Sequence, residues 1–307
     1  AHTATNDYAL KDVNEVIDQQ PLWADDIWQL ICWAADYYHH SLGEVAANAL
    51  PTLLRKGAAA SYPPVEYIAL TKVGAELDSE QMKRAQKQQA LIHLLQPGPQ
   101  PRSVIKAADI SSTVIKAAEE KGWVERQQRV PAIDETPWQL DSDNQPLTLN
   151  QQQAIAVTTI NQQQKHAAML LQGITGSGKT EVYLQAMTPV LKRGQQVLVL
   201  VPEIGLTPQT LRRFQQRFDV PIVMLHSALN DSERLQAWLD SQTGKAAIII
   251  GTRSAVFTPC KELGLIIIDE EHDLSFKQQD GFRYHARDIA IKRAQLLDIP
   301  IVMGTAT

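Results

Sequence analysis

Residues 173–180 read Gly-Ile-Thr-Gly-Ser-Gly-Lys-Thr, a complete GxxxxGKT run. Its chemistry is narrow. Closely spaced glycines let successive backbone N–H groups curl around a polyphosphate, a lysine neutralises the β- and γ-phosphates, and the final hydroxyl ligates Mg²⁺. The candidate nucleotide-binding residues are therefore Gly173, Thr175, Gly176, Ser177, Gly178, Lys179 and Thr180, with Lys179 also a candidate catalytic cation and Thr180 a candidate metal ligand. A second cluster, Asp269-Glu270-Glu271-His272, follows the apolar run Leu265-Ile266-Ile267-Ile268. A buried strand delivers these polar residues to its carboxyl end, where a phosphate loop also sits in a nucleotide-binding sheet. Asp269 is placed to hold Mg²⁺ and Glu270 to polarise an attacking water, and His272 completes the candidate catalytic set. In a third segment Phe276, Phe282 and Tyr284 interleave with Lys277, Arg283, His285 and Arg287 around Gly281. Aromatic faces stack on unpaired bases while cations take phosphates, so the segment reads as a single-strand sensor or, more plainly, as a packed turn.

A phosphate loop needs a strand before it and a helix after it. Ala167–Leu171 supplies the strand and Thr180–Leu191 the helix. Further apolar runs at 197–201, 222–225, 247–250, 265–268 and 301–303 alternate with helical patterns, which predicts an α/β unit with a mainly parallel sheet. Two zones precede it. In residues 1–78 the helix Asp25–His39 carries Trp28, Ile31, Cys32, Ala35 and Tyr38 at helical spacing, a stripe that predicts core. Adjacent His39 and His40 do not share a helix face and predict no metal pair. Residues 79–135 read helix, helix, helix, strand (Gln86–Leu95, Arg102–Ala107, a helix capped by Ser111-Ser112 and running to Lys121, then Trp123–Arg126), the order of a winged-helix module. Its third helix offers only Lys116 before Glu119 and Glu120, so partner docking is as good a reading as DNA contact. Residues 136–148 are polar, proline-punctuated and aperiodic, a linker.

The 307 residues are 44% hydrophobic, enough for real cores. Two distant cysteines exclude a disulfide framework or a cysteine-rich zinc site within the chain and suit a reducing compartment. There is no secretory pattern and no apolar run of about 18 residues, so a cytoplasmic setting without membrane partners is the expectation. A net charge of −5 confines any DNA contact to local patches.

The DEEH run is a DExH box, and in its company other segments resemble the signature motifs of superfamily 2 helicases. Leu149–Gln153 resembles the LNxxQ element, which implies Gln153 as adenine reader. Val201–Gln209 resembles motif Ia, Gly251–Phe257 motif Ib and Gly304–Thr307 the start of motif III. The VPEIGLTPQT run, GTRSAVFTP, the segment 276–288 and the Trp33–His40 run narrow the resemblance to the replication-restart helicases, over essentially the whole chain. The resemblance implies a multidomain chain. Residues 1–78 would be the carboxyl-terminal part of a small α+β domain that binds DNA 3′ ends, 79–135 a winged helix, 136–148 a linker and 149–307 a RecA-like helicase lobe 1. It implies ATP and Mg²⁺, with Thr180 and Asp269 on the cation. It also implies DNA contacts at Thr207, Gln209, Arg253, Phe276, Lys277, Phe282, Arg283, Tyr284 and Arg287.

The implied activity is an ATP-driven 3′→5′ DNA helicase that recognises stalled or collapsed replication forks and helps reload the replicative helicase. Forked and single-stranded DNA, single-stranded DNA-binding protein and other primosome proteins are the implied partners, in the bacterial cytoplasm at the nucleoid. In such helicases a second lobe supplies an arginine finger and a zinc-binding cysteine insertion. Neither lies in residues 1–307, so a truncated fragment with weak nucleotide binding and negligible turnover is the expectation. The competing readings are a DNA-structure binding and partner-loading module with a regulatory nucleotide site, and a duplex DNA translocase.

Overall fold

The computed structural model describes residues 13–62, 64–77, 85–130, 138–140, 146–174 and 176–306. The chain divides into two compact units, Ser61–Ile133 on one hand and Ala1–Ala60 with Asp134–Thr307 on the other. No described helix is long and apolar enough to cross a membrane.

The smaller unit is an antiparallel sheet in the order β2-β1-β3, with β1 at Val65–Leu70, β2 at Gln100–Pro101 and β3 at Val124–Arg129. Helices Gln86–Leu95, Arg102–Ala107 and Ser112–Glu120 bury Leu91, Ile92, Leu95, Ile105, Ile115 and Ala118 against Ile68 and Val124. The sequence pattern places β1 in the zone 1–78. It belongs instead to this unit, because all six of its residues pair with β3, Val65 with Arg129 through Leu70 with Val124.

In the larger unit every expected strand forms: β4 at Ala167–Gln172, β5 at Gln196–Leu200, β6 at Ile222–Leu225, β7 at Ile248–Gly251, β8 at Leu263–Ile268 and β9 at Pro300–Thr305. They make one parallel sheet, β4-β9-β8-β5-β7-β6. All residues of β5, β7 and β8 are buried, as expected of strands covered by helices on both faces. Alternate side chains serve two cores. Val197, Val199, Leu265, Ile267 and Val302 meet the helix Lys179–Lys192, while Leu198, Leu200, Ile266, Ile268 and Ile301 point the other way. This is a RecA-like lobe.

The second of those cores contains Ile27, Leu30, Ile31 and Ala34 of the helix Asp25–Tyr37, together with Ala286, Ile289 and Ala290 of the helix Ala286–Leu296. Arg293, 0% exposed, donates from Nη1 to the Val256 carbonyl (2.9 Å), and its Nη2 lies 3.8 Å from Asp26 Oδ2. Residues 25–60 thus fold with the lobe and share its core. The buried face of the first helix is also rotated by about one residue from the expected Trp28–Ile31–Cys32–Ala35–Tyr38 stripe. The aliphatic Ile27 and Leu30 take the core, and Trp28 remains exposed, stacked on Trp23 with ring centroids 5.8 Å apart.

If the first helix is part of the lobe, Ile31→Ala costs the lobe about 3 kcal/mol. Denaturant unfolding followed by a probe in the parallel sheet should show the loss in the sheet's own transition. A sheet transition that does not move would count against a shared core.

Candidate nucleotide site

β4 ends at Gln172 and hands the chain to the glycine loop. Gly176 and Gly178 have φ of +81° and +85°, the left-handed region that favours glycine. At Gly178 a Cβ would also overlap the Gln153 side chain. The helix Lys179–Lys192 starts directly after the loop, so its unpaired N–H groups face the place where a polyphosphate would lie. Lys179 is only 9% exposed. Its Nζ donates to the Gly173 carbonyl (2.6 Å) and lies 3.3 Å from Glu270 Oε1. Thr175 lies outside the described residues.

β8 delivers Asp269 and Glu270 beside the loop. The Asp269 N–H donates to the Leu200 carbonyl, the Glu271 N–H to the Gly304 carbonyl and the Gly173 N–H to the Thr305 carbonyl, at 2.8 to 3.0 Å. Glu270 has φ +49°, a conformation that costs a non-glycine residue about 1–3 kcal/mol. Its carboxylate lies between Lys179 and His272, whose Nε2 is 3.8 Å from Oε2. The other ring nitrogen of His272, Nδ1, shares a 3.0 Å hydrogen bond with Thr305 Oγ1. Asp269 is fixed by a residue the motifs do not mark: Tyr183 donates its hydroxyl proton to Oδ1 at 3.1 Å. Burial raises the Asp269 carboxyl above its usual range, and the Tyr183 hydrogen bond opposes that rise. Burial also drives the Tyr183 phenol upward, so it stays a donor.

These groups line a cleft of about 800 Å³, with Gly176, Gly178, Lys179, Thr180, Asp269 and Glu270 on the phosphate side. Glycine amides in left-handed turns, one buried ammonium, a hydroxyl and a carboxylate are the donor set that a nucleoside triphosphate with Mg²⁺ requires. Leu147, Leu184, Arg213, Gln216 and Arg217 also line the cleft. Motifs alone do not find them, because Leu147 is brought in by a local network. Glu181 Oε1 accepts from the Leu147 N–H (3.2 Å), and Gln185 Nε2 donates to the Leu147 carbonyl (2.9 Å). Gln153, expected to read adenine, already uses both ends of its amide. Oε1 accepts from the Asn150 N–H (2.9 Å) in a capping box, and Nε2 donates to the Ser177 carbonyl (2.8 Å). In this structure it braces the phosphate loop.

The segment 276–287 departs furthest from expectation. Phe276, Phe282 and Tyr284 are 0%, 1% and 3% exposed, so none offers a free face to a base. Phe282 stacks on Tyr284 at 4.8 Å and meets Tyr38 edge-on at 5.7 Å, while Tyr284 packs on Phe257 at 5.3 Å. The rings are core because the first helix and the 253–257 turn close over them. Arg253, expected on the DNA backbone, donates from Nη1 to the Ser275 and Lys277 carbonyls (2.8 and 3.1 Å) and so holds the segment. Arg287 pairs with Glu271 at 3.0 Å, and Lys277 donates to the Arg283 carbonyl. Thr207 caps the helix Pro208–Arg217 through the Thr210 N–H. Of the expected DNA contacts, Gln209 and Arg283 are exposed.

The DEAD/DEAH box helicase model matches residues 148–307, and the model of a 3′ DNA-binding domain matches residues 1–51. Replication restart protein PriA of Haemophilus influenzae is 45% identical over 97% of this chain and 41% of its own length. Its counterpart in Bacillus subtilis is 39% identical over 73% of this chain and 29% of its own. The chain thus spans less than half the length of these curated relatives. A solved structure, the Pyrococcus furiosus Hef helicase domain, covers 51% of this chain and 32% of its own at TM-score 0.38 and 24% identity, too distant a likeness to add to this.

Gln153→Ala should lower stability by about 1–2 kcal/mol through loss of the cap and the loop brace, checked by thermal melting without added nucleotide. An unchanged melt would return Gln153 to a purely ligand-reading role. His285 accepts the Arg287 N–H at Nδ1, and burial lowers its pKa below the ordinary 6.5. The unfolded chain therefore binds the proton more readily. The resulting stability is complete above pH 6.5 and declines as pH falls through the lowered folded value. His285→Asn, which keeps a capping acceptor, should flatten that decline in melts between pH 7 and pH 5.

Proposed function

The chain belongs to the DEAD/DEAH box helicases, among the replication restart proteins of the PriA type, and we propose that its larger unit is the ATP-hydrolysing half of a DNA-driven motor. One observation carries this reading: Lys179, Asp269 and Glu270 converge on a single cleft at the carboxyl edge of the parallel sheet. Lys179 and the loop amides would hold the polyphosphate. Thr180 and Asp269 would hold Mg²⁺, which withdraws charge from the phosphate oxygens when bound. Glu270 orients a water for in-line attack and accepts its proton, and its strained backbone keeps the carboxylate against Lys179.

The proposed substrate is DNA with unpaired strands at a stalled or collapsed fork, with translocation 3′→5′. The match of residues 1–51 to a 3′ DNA-binding domain supports the fork end of this reading. Arg283 and Gln209 are the proposed contacts to phosphate, and Arg287, in the same segment as Arg283, pairs with Glu271 of the DExH box. The sheet and helices of Ser61–Ile133 support a winged helix. The likeness to replication restart proteins supports single-stranded DNA-binding protein and other primosome proteins as partners.

Lys179→Ala should weaken Mg²⁺–nucleotide binding by the 307-residue chain about 10- to 100-fold, the worth of a buried charged hydrogen-bond donor. Fluorescence anisotropy with a labelled ADP measures it. Equal affinity of both chains would refute a phosphate site at this loop.

A further inference from the structure

We infer that Tyr183 is a positioning residue for the nucleotide-bound cation, setting the orientation of Asp269 from the opposite side of the carboxylate. The inference rests on the nucleotide-site reading above and adds a residue to it. Tyr183 lies one helical turn beyond Lys179 and is 2% exposed, so its ring is fixed by the core beneath the loop. Its hydroxyl reaches Oδ1 of Asp269 at 3.1 Å. A carboxylate is planar, so a hydrogen bond that fixes one oxygen fixes the direction of the other. The Glu270 backbone N–H also bonds the Asp269 carboxylate, at the point where β8 has ended at Ile268 and Glu270 turns into the left-handed region, so Tyr183 is the side-chain hydroxyl that completes its fixing.

The neighbouring strand is built around this contact. Gly304 of β9 faces the tyrosine, and a Cβ there would overlap the Tyr183 hydroxyl and come within 3.4 Å of Asp269 Oδ1. Any larger residue at 304 would displace the phenol from the carboxylate. The Glu271 N–H is bonded to the Gly304 carbonyl, so the backbone that leaves room for Tyr183 also fixes the turn following Asp269. Three elements thus meet at one hydroxyl: the helix after the phosphate loop, the acidic turn and the last strand. Tyr183 does not line the cleft and would act on a bound nucleotide only through Asp269.

The test separates cation binding from phosphate binding. Labelled-ADP binding by the 307-residue chain is measured in EDTA and across a Mg²⁺ titration, for the unsubstituted chain, Tyr183→Phe and Gly304→Ala. Tyr183→Phe keeps the buried ring and loses only the hydroxyl. The expected result is an EDTA affinity within about twofold of the unsubstituted chain and a Mg²⁺ half-saturation raised about tenfold, the scale of one hydrogen bond to a charged group. Gly304→Ala should reproduce the Mg²⁺-selective shift by moving the phenol. An unchanged Mg²⁺ half-saturation in Tyr183→Phe overturns the inference, and so does an equal loss in EDTA and in Mg²⁺, which would mark a general loosening of the loop. If the unsubstituted chain binds no nucleotide, the site reading itself fails and the role of Tyr183 falls with it.

Discussion

The site depends on the carboxyl ends of three adjacent parallel strands being held in fixed register. β4, β9 and β8 are neighbours, and each is stitched to the next just beyond its last ladder pair. The Gly173 N–H reaches the Thr305 carbonyl, the Glu271 N–H reaches the Gly304 carbonyl, and His272 Nδ1 is hydrogen-bonded to Thr305 Oγ1. Parallel strands end their ladders with unsatisfied groups at one edge, and those groups must find partners when buried. Here the partners are one another, so the turns that carry Lys179, Asp269 and Glu270 cannot shift independently. A change in β9 moves the phosphate loop and the acidic turn together.

The polar groups of the site are also placed by internal bonds. Lys179 rests on its own loop carbonyl and on Glu270, Gln153 clamps the loop from the helix Gln151–Gln162, and Asp269 is held by Tyr183. In a low-dielectric cleft such preorganisation counts for more than the individual bonds, because no reorientation is needed when charge develops. The cost is carried locally. Glu270 sits in the left-handed region, and burial pushes the Asp269 carboxyl above its usual range, with the Tyr183 hydrogen bond opposing that rise.

Much of the fold was legible because its signals are local. Apolar runs of four to six residues set between helical patterns read as strands, and each one forms, with β5, β7 and β8 covered on both faces. The loop glycines and the acidic turn announced themselves by spacing. The misreadings came where tertiary context decides between equal local options. An alternation of rings and cations is the same string whether the rings stack on bases or on one another. At Phe276, Phe282 and Tyr284 the answer came from the first helix, some 240 residues away in the chain. Likewise Ile27 and Trp28 both fit a helical stripe, and the shape of the lobe core chose the isoleucine. Tyr183 carried no sequence signal, since its role exists only where Gly304 and Asp269 meet.

The shared core of the first helix has a consequence for how the protein is made. Tyr38 donates its hydroxyl proton to Asp288, a partner 250 residues further along the chain, and Ile27, Leu30 and Ile31 wait for the same helix. At roughly 5–20 residues per second, that partner leaves the ribosome about 12–50 s after the helix does. Throughout that interval an apolar helix face is synthesised without the surface that buries it. The first helix therefore cannot complete its packing until the helix Ala286–Leu296 has been made.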